Sequence, residues 1–253
     1  MSQRIAVRVA QQIVQRYFSE GIEEGLRLPT EKEMVDDFRV GRTTIREALR
    51  LLEARGVIRV RAGRYGGPIV RRPPDEAIGE TLTLLLQRER ASLRAVLDAR
   101  LALEPAIARM AAENISDEQV ARLDETVRLI MERSEDAEIF AVQNTCFHTV
   151  IVQAANSPAL KIYLNGLNSI ADGTFAGIQY SPGRHRATAE AHQCIIDALR
   201  IRDPDAAEAA MHAHIEDIGA YWTRRYPDLV SRPIRWTMDP YPDITAPLQV
   251  DTV

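Results

Sequence analysis

Cysteine is scarce in this 253-residue sequence, which contains only Cys146 and Cys194. Two cysteines inside helical patterns argue against the disulfide framework of a small secreted domain. Long apolar runs are also missing, since no stretch reaches the roughly 18 apolar residues that a membrane-spanning helix needs. The first residues, MSQRIAVRVAQQIV, have no apolar core followed by a cleavage site. We therefore expect a cytoplasmic protein that does not enter a membrane.

The chain as a whole has no excess of positive charge, because its formal net charge is −4. The charge is unevenly distributed, however. Residues 1–72 contain 15 Lys and Arg against 9 Asp and Glu, whereas the remainder contains 17 against 27. A basic segment before an acidic body is expected when one domain meets phosphates and the other does not. Chance clustering would give the same counts, so charge alone does not decide the function.

The N-terminal segment has the pattern of three helices followed by a hairpin. A first helix is predicted from about Ser2 to Ser19, and Thr30 with Glu33 forms a capping box for a short second helix. A third helix is predicted from Arg42 to Gly56, with apolar residues spaced for one buried face. Residues 57–70 contain two β-forming runs around a turn rich in Gly and Arg. This order is that of a winged helix-turn-helix.

The rest of the chain is predicted to be helical as far as about Arg225. Pro73 and Pro74 indicate a linker, and five prolines from Pro227 onward argue against a regular helix in the tail. The tail would then be disordered or a strap laid over the body. The predicted helices are 75–89, 92–112, 116–134, 136–155, 157–180, 184–202 and 204–225. The expected fold is mostly α, with a winged helix-turn-helix (1–72), a linker (73–75), an all-helical bundle (76–225) and a proline-rich tail (226–253).

The third helix has the side chains of a DNA recognition helix. Arg42, Thr43, Thr44 and Arg46 are predicted to face outward in its first turns. Arginine can donate two parallel hydrogen bonds to a guanine edge, and threonine hydroxyls suit phosphates. A solvated basic helix beside a surface hairpin is the alternative, which the order of the elements and the local positive charge disfavour.

Residues 5–72, and above all the stretch from Leu28 to Val70, resemble the DNA-binding domain of the GntR family of bacterial regulators. It contains the motif L-P-[ST]-E, then R-T-T-I-R-E-A-L-R-x-L-E, then G-x-I. Gly41 stands where the family often has a capping serine, and glycine is an acceptable N-cap. The residues that the resemblance places at DNA are Lys32, Arg42, Thr43, Thr44 and Arg46, with Gly63 and Arg64 at the tip of the wing.

Three histidines of the C-terminal body stand on separate predicted helices. His148, His192 and His214 each have apolar residues at helical spacing, so each is predicted to face inward. A buried, hydrogen-bonded core histidine is the usual explanation for any one of them. Together they could bind one metal ion, because imidazole is a common ligand of Zn, Ni, Fe and Cu. His185 and His212 are poorer candidates.

Residues 76–222 resemble the FCD ligand-binding domain of the FadR-like subgroup. The resemblance rests on three stretches, ARLALEPAIARMAAE, NTCFHTVIVQAANSPAL and AEAHQCIIDALRIRDPDAAEAAMHAHI. It implies that Asn144, His148, His192 and His214 bind a divalent transition metal, with Zn or Ni favoured. Asparagine in place of the family's frequent aspartate removes a negative charge, which weakens the expected affinity.

Arg100 is predicted to bind the carboxylate of a small effector, because guanidinium and carboxylate match in a two-bond fork. A helix pair between Arg100 and Glu104, four residues apart, is an equally good explanation. The resemblance implies an organic acid effector bound near the metal.

The function expected from these observations is that of a ligand-responsive repressor of a catabolic operon. A homodimer would match the symmetry of a palindromic double-stranded operator. A metalloenzyme is the main alternative, but the sequence has no H-E-x-x-H motif and no clear nucleophile beside a base. A sequence-independent, nucleoid-like DNA binder is a third.

Overall fold

The computed structural model describes residues 2–18, 23–61, 63, 66–73, 75–171 and 177–235. The chain divides into two compact units, residues 1–74 and residues 75–253. In the described parts, the regular structure is helical apart from one two-stranded sheet. The predicted fold class is therefore confirmed.

Three helices and an antiparallel hairpin form the first unit. Its elements are α1 (Ser2–Tyr17), α2 (Glu31–Phe38), α3 (Arg42–Ala54), β1 (Ile58–Arg61) and β2 (Gly67–Val70). In the hairpin, Ile58 lies opposite Val70. The inner faces of the helices and of the hairpin enclose a core that includes Ile13, Met34 and Leu49. This core holds the opposite face of α3 toward solvent.

Local signals set the ends of α2 and α3. The Thr30 hydroxyl accepts the N–H of Glu33 at 3.3 Å, and the Glu33 carboxylate accepts the N–H of Thr30 at 2.7 Å. This confirms the predicted capping box. Helix α3 begins at Arg42 as predicted and ends at Ala54. Gly56 follows with φ of +71°, a conformation that favours glycine after a helix.

The second unit is a helical bundle. Its helices are α4 (Asp75–Arg88), α5 (Leu93–Asn114), α6 (Asp117–Glu132), α7 (Ala137–Ala154), α8 (Pro158–Ala171), α9 (Pro182–Arg200), α10 (Pro204–Arg225) and α11 (Pro227–Ser231). Helix α5 lies along α10, and α7 and α9 complete the centre. Helix α6 packs against α7 and α9, and α4 packs against α8. Polar side chains cap four of them, from Ser116, Asp136, Ser181 and Asp203. Among the described helices, none has the length and apolar character needed to cross a membrane.

One prediction about the bundle was wrong. Helix α8 ends at Ala171, whereas the sequence predicted a helix as far as residue 180. Residues 178–180 are not helical, and Gly177 just before them has a φ of +95° that a helix cannot accommodate. Between the two stretches, residues 172–176 lie outside the described part of the chain.

The tail also differs from the prediction, because it begins with the short helix α11. Pro227 occupies the first position of that helix, where no N–H is needed, so proline starts the helix and does not prevent it. The next residues form a strap. Pro233 is bridged to Ser92, and the N–H of Ile234 donates to the carbonyl of Ala91 at 2.8 Å. Of the two predicted alternatives for the tail, disorder or a strap, residues 232–235 form a strap. Residues 236–253 lie outside the described part of the chain.

We expect Thr30→Ala to lower the free energy of unfolding of the first unit by about 1 kcal/mol, because it removes the N-cap of α2. Thr30→Ser keeps the hydroxyl and is the matched control, with a change of a few tenths at most. Urea denaturation followed by circular dichroism measures both. Equal stability of the alanine and serine variants would show that the cap does not contribute.

Candidate DNA interface and metal centre

The outer face of α3 presents the side chains that the sequence assigned to DNA. Arg42, Thr43 and Arg46 are exposed, and Thr44 is half-buried. Lys32 is exposed on α2. The N-terminus of α3 also offers free N–H groups and a positive dipole end, both of which favour phosphate. The geometry suits a recognition helix, while contact of these residues with DNA stays a prediction.

Arg46 has a partner that the sequence did not indicate. Its Nε donates to Glu31 Oε2 at 2.9 Å, across from α3 to α2. Both side chains are well exposed, at 62% and 36%, so the pair contributes little stability, about 0–1 kcal/mol. Glu31 therefore positions the Arg46 guanidinium but binds it only weakly. Glu31 and Arg46 are fifteen residues apart in the sequence, so no helical spacing indicates this pair.

The wing has a glycine at the position expected for its tip. Gly63 has a φ of +107°, and its carbonyl accepts the N–H of Gly66 at 2.9 Å. Arg59 and Arg61 of β1 are exposed. Arg64, which the sequence also assigned to DNA, lies outside the described residues.

His148, His192 and His214 converge at the centre of the bundle, from α7, α9 and α10. All three are buried, and one ring nitrogen from each lies within 4.8 Å of the others. The ring centres of His192 and His214 are 4.7 Å apart. Phe147 stacks on His192 at 3.6 Å and closes one side of the cluster. The sequence placed these residues on inward faces, and the structure brings them together.

The hydrogen bonding of these rings does not fit the core-histidine alternative. Both nitrogens of His192 and Nδ1 of His214 are buried without a hydrogen-bond partner among the described residues. Buried polar groups are normally paired. His185 shows the contrast within the same chain, because its Nδ1 lies 2.6 Å from the carbonyl of Ser134 and its ring stacks on Phe140. His185 is a structural histidine, whereas the orphaned nitrogens of the cluster fit a divalent metal.

Burial also sets the protonation of the cluster. It lowers the pKa of both His192 and His214 well below the usual 6.5, and neighbouring positive charge lowers it further. The two rings are therefore neutral at pH 7. Neutral imidazole has a free lone pair, which is the form that binds a metal.

Glu104 lies beside the histidine cluster. The sequence indicated Glu104 only as a possible partner of Arg100. Its Oε1 accepts the Nε of Arg100 at 2.5 Å, and its Oε2 lies 2.7 Å from Nδ1 of His148. That second contact is close but poorly aligned for a hydrogen bond. Burial alone would raise the pKa of Glu104, but the charge of Arg100 and the contact with His148 outweigh it and hold the pKa below its usual range. Glu104 thus occupies the Nδ1 side of His148 and leaves Nε2 as the nitrogen for a metal.

The other residues considered from the sequence are Arg100, Asn144 and His212. Arg100 is buried and forms the pair with Glu104 that the sequence offered as one of two explanations. Its contact with an effector stays a prediction. Asn144 is half-buried on α7, one turn before His148, and its place as a ligand also stays a prediction. His212 is exposed and lies 3.3 Å from Glu216, away from the cluster.

Comparison with known proteins places this architecture in a family. Residues 5–64 match the gntR family of bacterial regulatory proteins, and residues 95–217 match the FCD domain. The chain belongs to the GntR family. Its FCD domain makes it a FadR-like member, a ligand-responsive regulator that binds DNA. Such regulators are not enzymes, which sets aside the metalloenzyme alternative.

Individual relatives agree with this assignment. The HTH-type transcriptional repressor NanR of Citrobacter rodentium is 28% identical over 230 residues, which cover 88% of this chain and 85% of the relative. NanR of Salmonella typhimurium is 28% identical over 207 residues, which cover 79% and 77%. Among solved structures, a Streptococcus agalactiae GntR protein is 27% identical with a TM-score of 0.70. That match covers 85% of this chain and 99% of the other.

We expect Glu104→Gln to lower the free energy of unfolding of the helical bundle by about 3–5 kcal/mol, because it removes the carboxylate from a buried ion pair with Arg100. Asp98→Asn is the matched control. Asp98 pairs with Arg94 at the same spacing on the same helix, but both are exposed, so its loss should change stability by less than about 0.5 kcal/mol. Urea denaturation measures both variants. Similar losses would contradict a special role for the buried pair.

Proposed function

We propose that this GntR-family protein represses a catabolic operon and that a small organic or sugar acid controls its binding to DNA. A homodimer would bind a palindromic operator through two winged heads. The effector would bind in the helical bundle at a divalent metal held by His148, His192 and His214. The name of the NanR relatives, transcriptional repressors, supports the direction of control.

The orphaned nitrogens of the buried histidine cluster carry this proposal. Three buried imidazoles from three helices form a donor set that suits Zn or Ni, and Asn144 would add an oxygen ligand. When bound, the metal would act as a Lewis acid with positions open to an oxygen ligand. Glu104 would fix the orientation of His148 from behind.

The charge balance of the cluster favours an anionic effector. Arg100 and Glu104 neutralise each other, and His192 and His214 are uncharged. Binding of a divalent cation there would leave about two positive charges that no described side chain of the cluster balances. Asparagine at position 144 adds no negative charge. A carboxylate effector would supply the missing negative charge.

We expect the purified full-length protein, dialysed against Zn²⁺, to contain about one metal ion per chain, because the described donors form one site. His192→Ala should lose this metal, and the rise in melting temperature on adding Zn²⁺ should disappear with it. His212→Ala is the control, since His212 is exposed outside the cluster. Elemental analysis measures the content. An unchanged metal content in His192→Ala would rule out the cluster as the site.

We expect Arg46→Ala to weaken operator binding roughly 5- to 150-fold, which corresponds to ~1–3 kcal/mol for an arginine that contacts a base. Arg122→Ala, on the exposed surface of α6, should leave the affinity unchanged. Footprinting on genomic fragments identifies the operator, and shift assays at fixed salt measure the affinity. Arg46→Ala binding as tightly as the parent protein would remove Arg46 from the interface. General protection without a palindrome would favour the nucleoid-like alternative.

A further inference from the structure

Two side chains outside the histidine cluster also have buried polar atoms without a hydrogen-bond partner among the described residues. They are Arg184, through its Nε and Nη2, and Thr188, through its hydroxyl. A buried hydroxyl left without a partner is destabilising. Such groups in a native protein call for an explanation, and an absent ligand is one of the few that apply.

These two residues lie in line with the histidine cluster. Arg184, Thr188 and His192 follow one another at four-residue intervals on α9, so they share one face of that helix. With a rise of about 1.5 Å per residue, Thr188 lies roughly 6 Å and Arg184 roughly 12 Å along the axis from His192. The orphaned groups therefore form a polar track that leads from the cluster to the first turn of α9.

Contacts with α10 fix the far end of the track. Arg184 Nη2 lies 2.6 Å from Asp217 Oδ2, and Asp217 comes three residues after His214. The Arg184 guanidinium carbon is also 4.8 Å from the ring centre of Tyr221. Arg184 is thus held between α9 and α10, with its side chain 10% exposed.

An ion pair between two helices does not account for the whole arrangement. Asp217 balances the charge of Arg184, but neither Nε nor Nη2 of Arg184 has a hydrogen-bond partner among the described residues, and Asp217 does nothing for Thr188. Three other threonines of the bundle bond to their own helix: Thr83, Thr126 and Thr223 each donate to a backbone carbonyl at 2.7–2.8 Å. Thr188 is equally helical and makes no such bond. Its hydroxyl stays available for another partner.

We propose that Arg184 and Thr188 form a second polar subsite, which binds hydroxyl oxygens of a sugar acid whose carboxylate lies at the histidine cluster. This subsite rests on the proposed function of the cluster. Because Asp217 balances the charge of Arg184, the subsite offers hydrogen-bond donors without net charge. That suits hydroxyl or carbonyl oxygens better than a second carboxylate. Among organic acids, the subsite therefore selects polyhydroxylated ones over apolar ones.

Matched acids and matched variants test this subsite. Isothermal titration of the full-length protein supplied with Zn²⁺ compares D-gluconate and D-glucuronate with hexanoate, which has the same number of carbons and no hydroxyl. We expect at least one sugar acid to bind tenfold more tightly than hexanoate. Thr188→Val and Arg184→Lys should weaken that sugar acid roughly three- to tenfold, as expected for one lost hydrogen bond. Hexanoate binding should not change in either variant.

Stability of the free protein gives an independent readout. Thr188→Val should keep or raise the melting temperature, because it removes a hydroxyl that has no partner. Thr126→Val is the control, since it breaks a bond made in the free protein and should lower the melting temperature while leaving acid binding unchanged.

Three results would overturn the subsite: no preference for sugar acids over hexanoate, equal weakening of both by Thr188→Val, or a lower melting temperature of that variant. The proposed function would survive each of these if hexanoate binds and His192→Ala abolishes its binding. If no acid binds the parent protein, both proposals fail.

Discussion

Three imidazole rings buried with unpaired nitrogens impose the main constraint on the helical bundle. Desolvation of such groups is unfavourable, and the apolar packing of α5, α7, α9 and α10 has to offset it. Phe147 stacks on His192 and closes one side of the cluster. Burial keeps His192 and His214 neutral and also strengthens any interaction with a bound cation. The same burial that makes unpaired ring nitrogens unfavourable thus favours their binding of a cation.

Glu104 is the residue that connects the histidine cluster to α5, because it contacts both Arg100 and His148. A carboxylate at that depth is tolerated because Arg100 lies one turn before it on α5 and His148 faces it from α7. Arg100, Glu104 and His148 form a polar chain, in which the carboxylate lies between two nitrogen groups and links α5 to α7. Pro105 follows directly and removes one backbone N–H from α5 at this point. Helix α5 therefore lacks one backbone hydrogen bond next to the buried contacts of Glu104.

Short-range features of the fold could be predicted from the sequence, because they depend on neighbouring residues. The capping box at Thr30 and the start of α3 at Arg42 are of this kind, as is the inward face of each histidine. Contacts between distant residues could not. Glu31 meets Arg46, and Asp217 meets Arg184, only after the helices have packed, and no spacing in the chain encodes those pairs. Helix α11 escaped prediction for a different reason, since a count of prolines ignores that Pro227 starts a helix.

The strap at the end of the described chain closes the bundle on itself. Ile234 is buried and hydrogen-bonded to Ala91, next to the start of α5 and close in sequence to residue 95, where the FCD match begins. The chain thus enters and leaves this domain at one corner. Joined ends of this sort make a domain tolerant of circular permutation and of insertion into another protein. Helix α4 lies outside the closed loop and is fitted to it through α8, where Gly166 leaves room for Ile78. The FCD domain is in this sense a closed structural unit, and α4 is attached to it by packing against α8.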